Sequence, residues 1–269
     1  MKKAVVVSLI NEHERRKHID DLFNEHSIDF SYFDAINKDQ VENTLQKYGL
    51  AVTSERISKG EVACYLSHYC LWQQVIEHKL PYLMVFEDDI YFSKSAKTLL
   101  NNLDWLSNDF DVIKLETMYE SVMIKANTAL QPPHKLYRMK TRHLGTAGYI
   151  ISQKGAKNMI ELVRKFGINS PVDHFMFDIF LEKNVHNVYQ LNPALCIQDK
   201  IYNSTDTKFG SVIEEGRAPQ SIMKQKLTLL QKINRELNRL LRQLKIVEYY
   251  STLLLVAKGY RNQEIDYSE

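Results

Sequence analysis

Three cysteines in 269 residues are too few, and too odd a number, for a disulfide framework. Cys64, Cys70 and Cys196 show no metal-ligand spacing along the sequence. The first two fall inside an apolar helical pattern and read as small buried hydrophobes, a usage that fits a reducing cytoplasm. Long apolar runs are also missing, for nothing approaches the roughly 20 residues that cross a bilayer. The start, Met1-Lys2-Lys3 followed by apolar residues 4–10, looks like a signal peptide. It runs instead straight into Asn11-Glu12-His13-Glu14-Arg15-Arg16 with no small-residue cleavage site, and so reads as a buried first strand. No P-loop, internal repeat or recognised nucleic-acid motif is present, so neither a P-loop phosphotransferase nor a nucleic-acid partner is expected.

What is there suits a globular protein. Hydrophobic residues make up 44% and charged residues 25%, enough for a real core in one large α/β domain with or without an appendage. The net charge of +2 hides an asymmetry: residues 1–221 carry 26 basic against 28 acidic side chains, and residues 222–263 carry 9 against 2. Body and tail therefore present different surfaces to partners.

Strands are expected over residues 5–10, 30–35, 82–86 and 111–115, alternating with helical patterns. Ser58-x-x-Glu61 has the form of a capping box and opens a helix through Ile76, ended by Pro81. A second helical stretch lies around Leu99 to Trp105, and a third runs from Gln153 to Phe166. Residues 37–59 read as a short helix or a loop, and Pro132-Pro133 as a loop. This alternation points to a mostly parallel sheet with helices on both sides, spanning residues 1–220. Beyond Ser221, Leu230, Ile233, Leu237, Leu240, Leu244 and Val247 form an apolar stripe flanked by Lys232, Arg235, Arg239, Arg242 and Lys245. Residues 221–269 are thus read as a basic amphipathic helical tail. It suits an anionic bilayer surface, packing on the body, or pairing with a second chain as a homodimer.

The sharpest feature is Glu87-Asp88-Asp89, directly after an apolar strand. Ligands bind beyond the carboxyl ends of parallel strands, and three crowded carboxylates there repel one another unless a cation compensates. A hard divalent ion whose shell is completed by substrate phosphates is the economical solution, with solvated turn residues the bland alternative. Alternation along an extended chain would put Glu87 and Asp89 on one side, nearest the metal, with Asp88 on the other.

Several blocks together resemble glycosyltransferase family 25, the lipooligosaccharide galactosyltransferase type. They are Ser8-Leu9-Ile10-Asn11 with Arg15-Arg16, Tyr32-Phe33-Asp34-Ala35, Lys59-Gly60-Glu61-Val62-Ala63-Cys64-Tyr65-Leu66-Ser67-His68, Val85-Phe86-Glu87-Asp88-Asp89-Ile90, Gly145-Thr146-Ala147-Gly148-Tyr149, Pro171-Val172-Asp173, and Pro193 to Gln198. The resemblance covers roughly residues 1–200 and implies a GT-A-type, Rossmann-like fold, a UDP-galactose or UDP-glucose donor, Mn²⁺ or Mg²⁺, and an inverting transfer to a lipooligosaccharide acceptor. Ile10-Asn11 departs from the family's more usual Asn-Leu order, which puts nucleotide contacts in that block in doubt. The expected location is cytoplasmic, peripheral on the inner face of the membrane.

Within that frame Ser8, Asn11, Arg15, Asp34, Ser67, His68, Asp88, Gly145 and Thr146 are the candidate nucleotide-sugar contacts, and Glu87 and Asp89 the metal ligands. Asp173 is the candidate general base, or else a helix N-cap, and Glu116 is the second candidate base. His68 on a helix is equally readable as a packed structural residue. Two readings from other classes stay beside this one: a Mg²⁺ phosphotransferase using an aspartate of the triplet as nucleophile, and a non-catalytic scaffold at a membrane.

Overall fold

The computed structural model describes residues 2–106, 109–130, 132–182, 186–209 and 246–267. The chain opens with β1 (Ala4–Ser8), α1 (His13–Glu25) and β2 (Phe30–Asp34). A short 3₁₀ turn then leads into α2 (Val41–Tyr48), α3 (Lys59–Glu77), β3 (Tyr82–Glu87), β4 (Ile90–Phe92) and α4 (Ala96–Asn101). Five strands come next: β5 (Val112–Lys114), β6 (Glu116–Thr117), β7 (Ser121–Ala129), β8 (Lys135–Met139) and β9 (Gly148–Ser152). Then follow α5 (Gln153–Phe166), a helical stretch over 172–182, β10 (Val188–Asn192), β11 (Cys196–Gln198), a turn of helix at Asp199–Tyr202, a helix at Ile246–Ala257 and β12 (Arg261–Glu264).

Nine strands form one sheet in the order β12-β7-β8-β10-β5-β9-β3-β1-β2, and β4-β11-β6 form a small second one. Six of the nine, β1, β2, β3, β5, β7 and β10, run the same way; β8, β9 and β12 run against them. The fold is α/β with a mostly parallel central sheet and flanking helices.

The strand residues alternate between two cores, as a period of two requires. Val5, Val7, Leu83, Val85 and Ile151 face α3 and α5, while Ala4, Val6, Met84, Phe86 and Ile150 face α1 and α4. On α1, Ile19, Leu22 and Phe23 are buried, as is His26 at its C-cap, the face expected from their spacing. The capping box on α3 forms as read: Ser58 Oγ accepts from the Glu61 N–H at 3.2 Å, and Glu61 Oε2 accepts from the Ser58 N–H at 2.8 Å.

Close approach fixes one glycine. A Cβ on Gly155 would lie 2.2 Å from the Asp111 carbonyl oxygen, so α5 could not keep its seat over β5. Gly155→Ala should lower stability by about 1–3 kcal/mol, read by urea denaturation, because backbone has to move.

Three expectations change. The helix near Leu99–Trp105 lies earlier, at Ala96–Asn101, and the chain leaves it with Asn102 extended. The loop expected at Pro132-Pro133 stands, but its setting changes, since it joins an antiparallel pair of strands, β7 and β8, that no periodicity marked. Residues 261–264, expected within a helical tail, are extended and pair antiparallel with β7. Gly259, at φ +82°, reverses the chain after the preceding helix, and buried Ile265 joins the main core. Of the tail's apolar stripe and its flanking cations, residues 230–245 lie outside the described residues.

Candidate active site at the carboxyl edge of the sheet

β1, β3 and β5 point their carboxyl ends at one edge, and the antiparallel β9 begins there. Glu87 closes β3, Asp88 and Asp89 make the turn into β4, and Gly145–Ala147 lead into β9. Gln198, at the end of β11, spans the two outer carboxylates. Its Nε2 donates to Glu87 Oε2 at 3.0 Å and reaches Asp89 Oδ1 at 3.4 Å. Glu87 and Asp89 thus converge on one point, although a turn rather than an extended strand brings them there. Thr146 Oγ1 donates to Glu87 Oε1 at 2.7 Å, so this expected nucleotide contact orients a carboxylate.

The electrostatics follow from crowding. Burial pushes Asp89 up, and the charge of Glu87 adds to it against the opposing pull of Arg15, so that Asp89 titrates at about 7. Burial also works against ionised Glu87, but the neighbouring His68 ring, followed by the Thr146 hydroxyl and the charge of Lys200, holds it below the usual range. One of the two carboxylates is thus ionised well before the other, the pattern of a pair short of positive charge. Two hard oxygen donors converging in this way fit Mn²⁺ or Mg²⁺.

Asp88 turns away from that pair. Its Oδ1 meets Arg15 Nη1 at 2.7 Å, and the Arg15 guanidinium lies 5.6 Å from the Phe209 ring centroid. Asp199, fully buried, accepts from the Phe209 N–H at 2.9 Å and from Asn203 at 2.8 Å, tying residues 199–209 beside the acidic turn. Arg16 binds the Ser8 carbonyl at 3.0 Å and pairs with exposed Asp34. Asn11 is exposed, and its carbonyl accepts from His13 N.

Two expected donor contacts lie in the packed interior. Ser67 Oγ donates to the Ala63 carbonyl and accepts from the Ile36 N–H, both at 2.9 Å, pinning the chain after β2. His68 is fully buried, with Nδ1 at 2.8 Å from Tyr149 Oη and Nε2 at 3.7 Å from Glu87 Oε1.

The two candidate bases differ in access. Glu116 is fully buried; its Oε1 accepts from Lys114 Nζ at 2.7 Å and from the Ala147 N–H at 2.8 Å. Burial raises Glu116, with Lys114 opposing. Asp173 is half-buried, and Pro171 rather than Asp173 holds the N-cap position. Asp173 Oδ1 accepts from the His174 N–H at 2.8 Å, and Oδ2 faces the Gly145 N–H at 3.4 Å. Gly145 sits at φ +94°, and a Cβ there would lie 2.7 Å from Glu116 Oε2, so the backbone passes directly between the two acids.

Sequence reasoning missed Gln198 as the bridge, Lys114 as the partner of Glu116, and Cys64 as a neighbour of Glu87. The last two had a signal: Lys114 and Glu116 are two apart on an extended stretch, and Cys64 and His68 are four apart on a helix, so each pair shares a face.

Comparison with known proteins agrees with the resemblance. Residues 1–176 match the family described as "Glycosyltransferase family 25 (LPS biosynthesis protein)". A Haemophilus influenzae protein named as a glycosyltransferase is 36% identical over 237 residues, covering 87% of this chain and 83% of its own. The lipooligosaccharide biosynthesis protein lex-1 of Haemophilus influenzae is 32% identical, covering 89% of this chain and 90% of its own. The lacto-N-neotetraose biosynthesis glycosyltransferase LgtE of Neisseria meningitidis is 33% identical, with the same coverages of 89% and 90%. A family match over well over half the chain, and relatives above 30% identity along nearly all of it, leave one conclusion: the chain belongs to glycosyltransferase family 25 and is a glycosyltransferase of lipooligosaccharide or lipopolysaccharide biosynthesis.

Proposed function

We propose that the chain moves galactose, or glucose, from a UDP-hexose to a sugar of a lipooligosaccharide acceptor, with inversion and with Mn²⁺ or Mg²⁺ held by Glu87 and Asp89. The observation that carries the reading is the convergence of these two carboxylates under Gln198, with Asp89 raised to about 7 by burial and by the charge of Glu87 beside it. The acceptor class follows the relatives, named for lipooligosaccharide and lacto-N-neotetraose biosynthesis.

In the transfer an acceptor oxygen bonds to the anomeric carbon as the bond from that carbon to the diphosphate breaks, and UDP leaves with the electron pair. The cation, when bound, neutralises negative charge on the departing diphosphate. Asp173 takes the acceptor proton, being the half-exposed acid beside the Gly145 turn. Glu116, held by Lys114 and Ala147, fixes the Gly145–Ala147 backbone instead. Arg15 holds Asp88 on the donor side, where that carboxylate can meet ribose or sugar hydroxyls. Purified protein should transfer hexose from UDP-galactose or UDP-glucose to lipooligosaccharide, and EDTA should stop it. Undiminished turnover in EDTA defeats the reading.

The same reading puts the enzyme against an anionic bilayer, where its acceptor resides. No described helix is long and apolar enough to cross a membrane. The helix at Ile246–Ala257 nevertheless exposes Leu253, Leu254 and Val256 at 45%, 63% and 53%. Basic groups adjoin it: Lys125 Nζ donates to the Lys258 carbonyl, and Lys140 is depressed by burial and then by the charges of Lys258 and Arg138. Apolar side chains beside clustered cations suit anionic lipid, each cation adding roughly 1 kcal/mol near such a surface. Vesicles containing anionic lipid should sediment the protein at low salt, and Leu253→Asp with Leu254→Asp should release it. Sedimentation unchanged by that double substitution removes the membrane role of this helix.

A further inference from the structure

The side of α3 that faces the acidic turn carries a third kind of donor. Cys64 and His68 stand one helical turn apart, and one ligand atom from each lies within 4.8 Å of the other and of a Glu87 carboxylate oxygen. His68 is fully buried and held by its Nδ1 against Tyr149 Oη, which in turn accepts from Trp72 Nε1 at 3.2 Å. Its other nitrogen, Nε2, has no hydrogen-bond partner and points at Glu87 Oε1, 3.7 Å away. A buried ring nitrogen left in this state is costly unless something else occupies the space in front of it.

We propose that Cys64, His68 and Glu87 form a binding site for a thiophilic divalent cation of the zinc type. Sulfur, imidazole and carboxylate, three protein donors with a fourth position open, are the donors zinc takes. A thiolate selects against Mg²⁺ and Mn²⁺, which prefer oxygen alone. Bond lengths of about 2.0–2.3 Å require the three donor atoms to draw in by roughly 1 Å, within reach of side-chain rotation. With the cation on Nε2, the His68 Nδ1–H donates to Tyr149 Oη, the outer hydrogen bond that fixes a metal-bound imidazole. Cys64 is half-buried rather than sealed, which leaves a way in, and its thiol proton passes to solvent as the cation binds. The site stands independently of the donor chemistry proposed above. Only its consequence rests on that reading: zinc on Glu87 withdraws a carboxylate from the UDP-hexose cation and inhibits transfer.

Cobalt(II) added to the full-length protein reports the thiolate directly. The expected result is a sulfur-to-cobalt charge-transfer band that zinc bleaches and excess Mg²⁺ does not. Cys64→Ser should abolish the band and weaken zinc binding by at least about tenfold, while Cys70→Ser should leave both intact. A wild-type protein without the band, or a band that survives Cys64→Ser, overturns the proposal. Should Cys64→Ser fail to fold, alkylation of the wild-type protein decides: zinc should protect Cys64 from iodoacetamide where magnesium does not, and equal labelling overturns the site. Hexose transfer that needs no divalent cation, alongside an intact band, would defeat the donor reading and leave this site standing.

Discussion

Asp89→Asn is expected to abolish metal-dependent hexose transfer while raising the melting temperature of the metal-free protein at neutral pH. The two effects have one cause. Asp89 lies beside Glu87, and burial with that neighbouring charge lifts it to about 7 from its ordinary 3.8. A carboxyl whose folded-state pKa is raised contributes stability that is fully present below its unfolded pKa and lost as pH rises through the folded one. Metal-free protein therefore weakens between about pH 4 and pH 7, by on the order of 4 kcal/mol at most from this group. Glu87 works in the opposite sense: held below its ordinary 4.5, it adds stability above that pH which is lost on acidification. Asparagine at 89 keeps the shape and removes the charge, so the neutral-pH loss disappears and melting rises by several degrees. Divalent cation should do the same for the wild type and nothing for the variant. Activity should fall by about 10³-fold or more, since the stabilisation of the departing diphosphate is worth several kcal/mol. Differential scanning calorimetry across pH 4–8 with EDTA, paired with transfer assays, checks both halves. A variant that melts lower than wild type at pH 7 contradicts the electrostatic argument.

Asp173→Asn should reduce kcat by about 10²–10⁴-fold with little change in melting temperature or in KM for the donor. The side chain is half-buried, and its firm contact is the N–H of the next residue. The amide oxygen of asparagine can keep that contact, which is why folding should survive. The comparison variant is Glu116→Gln, which breaks the ion pair with Lys114 inside the protein and leaves a buried ammonium without its counter-charge. That change is expected to cost about 3–5 kcal/mol of stability. Asp173→Asn should thus lose rate and keep its fold, and Glu116→Gln should lose its fold first. Chemical denaturation beside steady-state kinetics separates them; near-wild-type turnover in Asp173→Asn would take that residue out of the mechanism.

Local signals account for what was legible in the sequence. Residues 82–86 are a continuous apolar run, and α3 announces itself by Ser58 and Glu61, so the sequence alone puts the acidic triplet at the end of a buried strand. Pairings made by distant residues were not legible. Gln198 reaches Glu87 across 111 positions; Lys114 and Glu116 stand only two apart, but nothing in that spacing shows that both are fully buried. Ser67 and His68 were assigned to the donor on resemblance, and nothing in their spacing reveals that both are buried. The strand at Arg261–Glu264 is polar throughout and gains its structure from the edge of β7, a tertiary effect that periodicity does not carry.

Anomalous diffraction from crystals soaked with UDP and manganese tests the central claim most directly. A manganese peak bonded to both Glu87 and Asp89, with the diphosphate oxygens completing its shell, is the predicted result. Bound UDP with no peak between those carboxylates, or with manganese held elsewhere, would contradict the account.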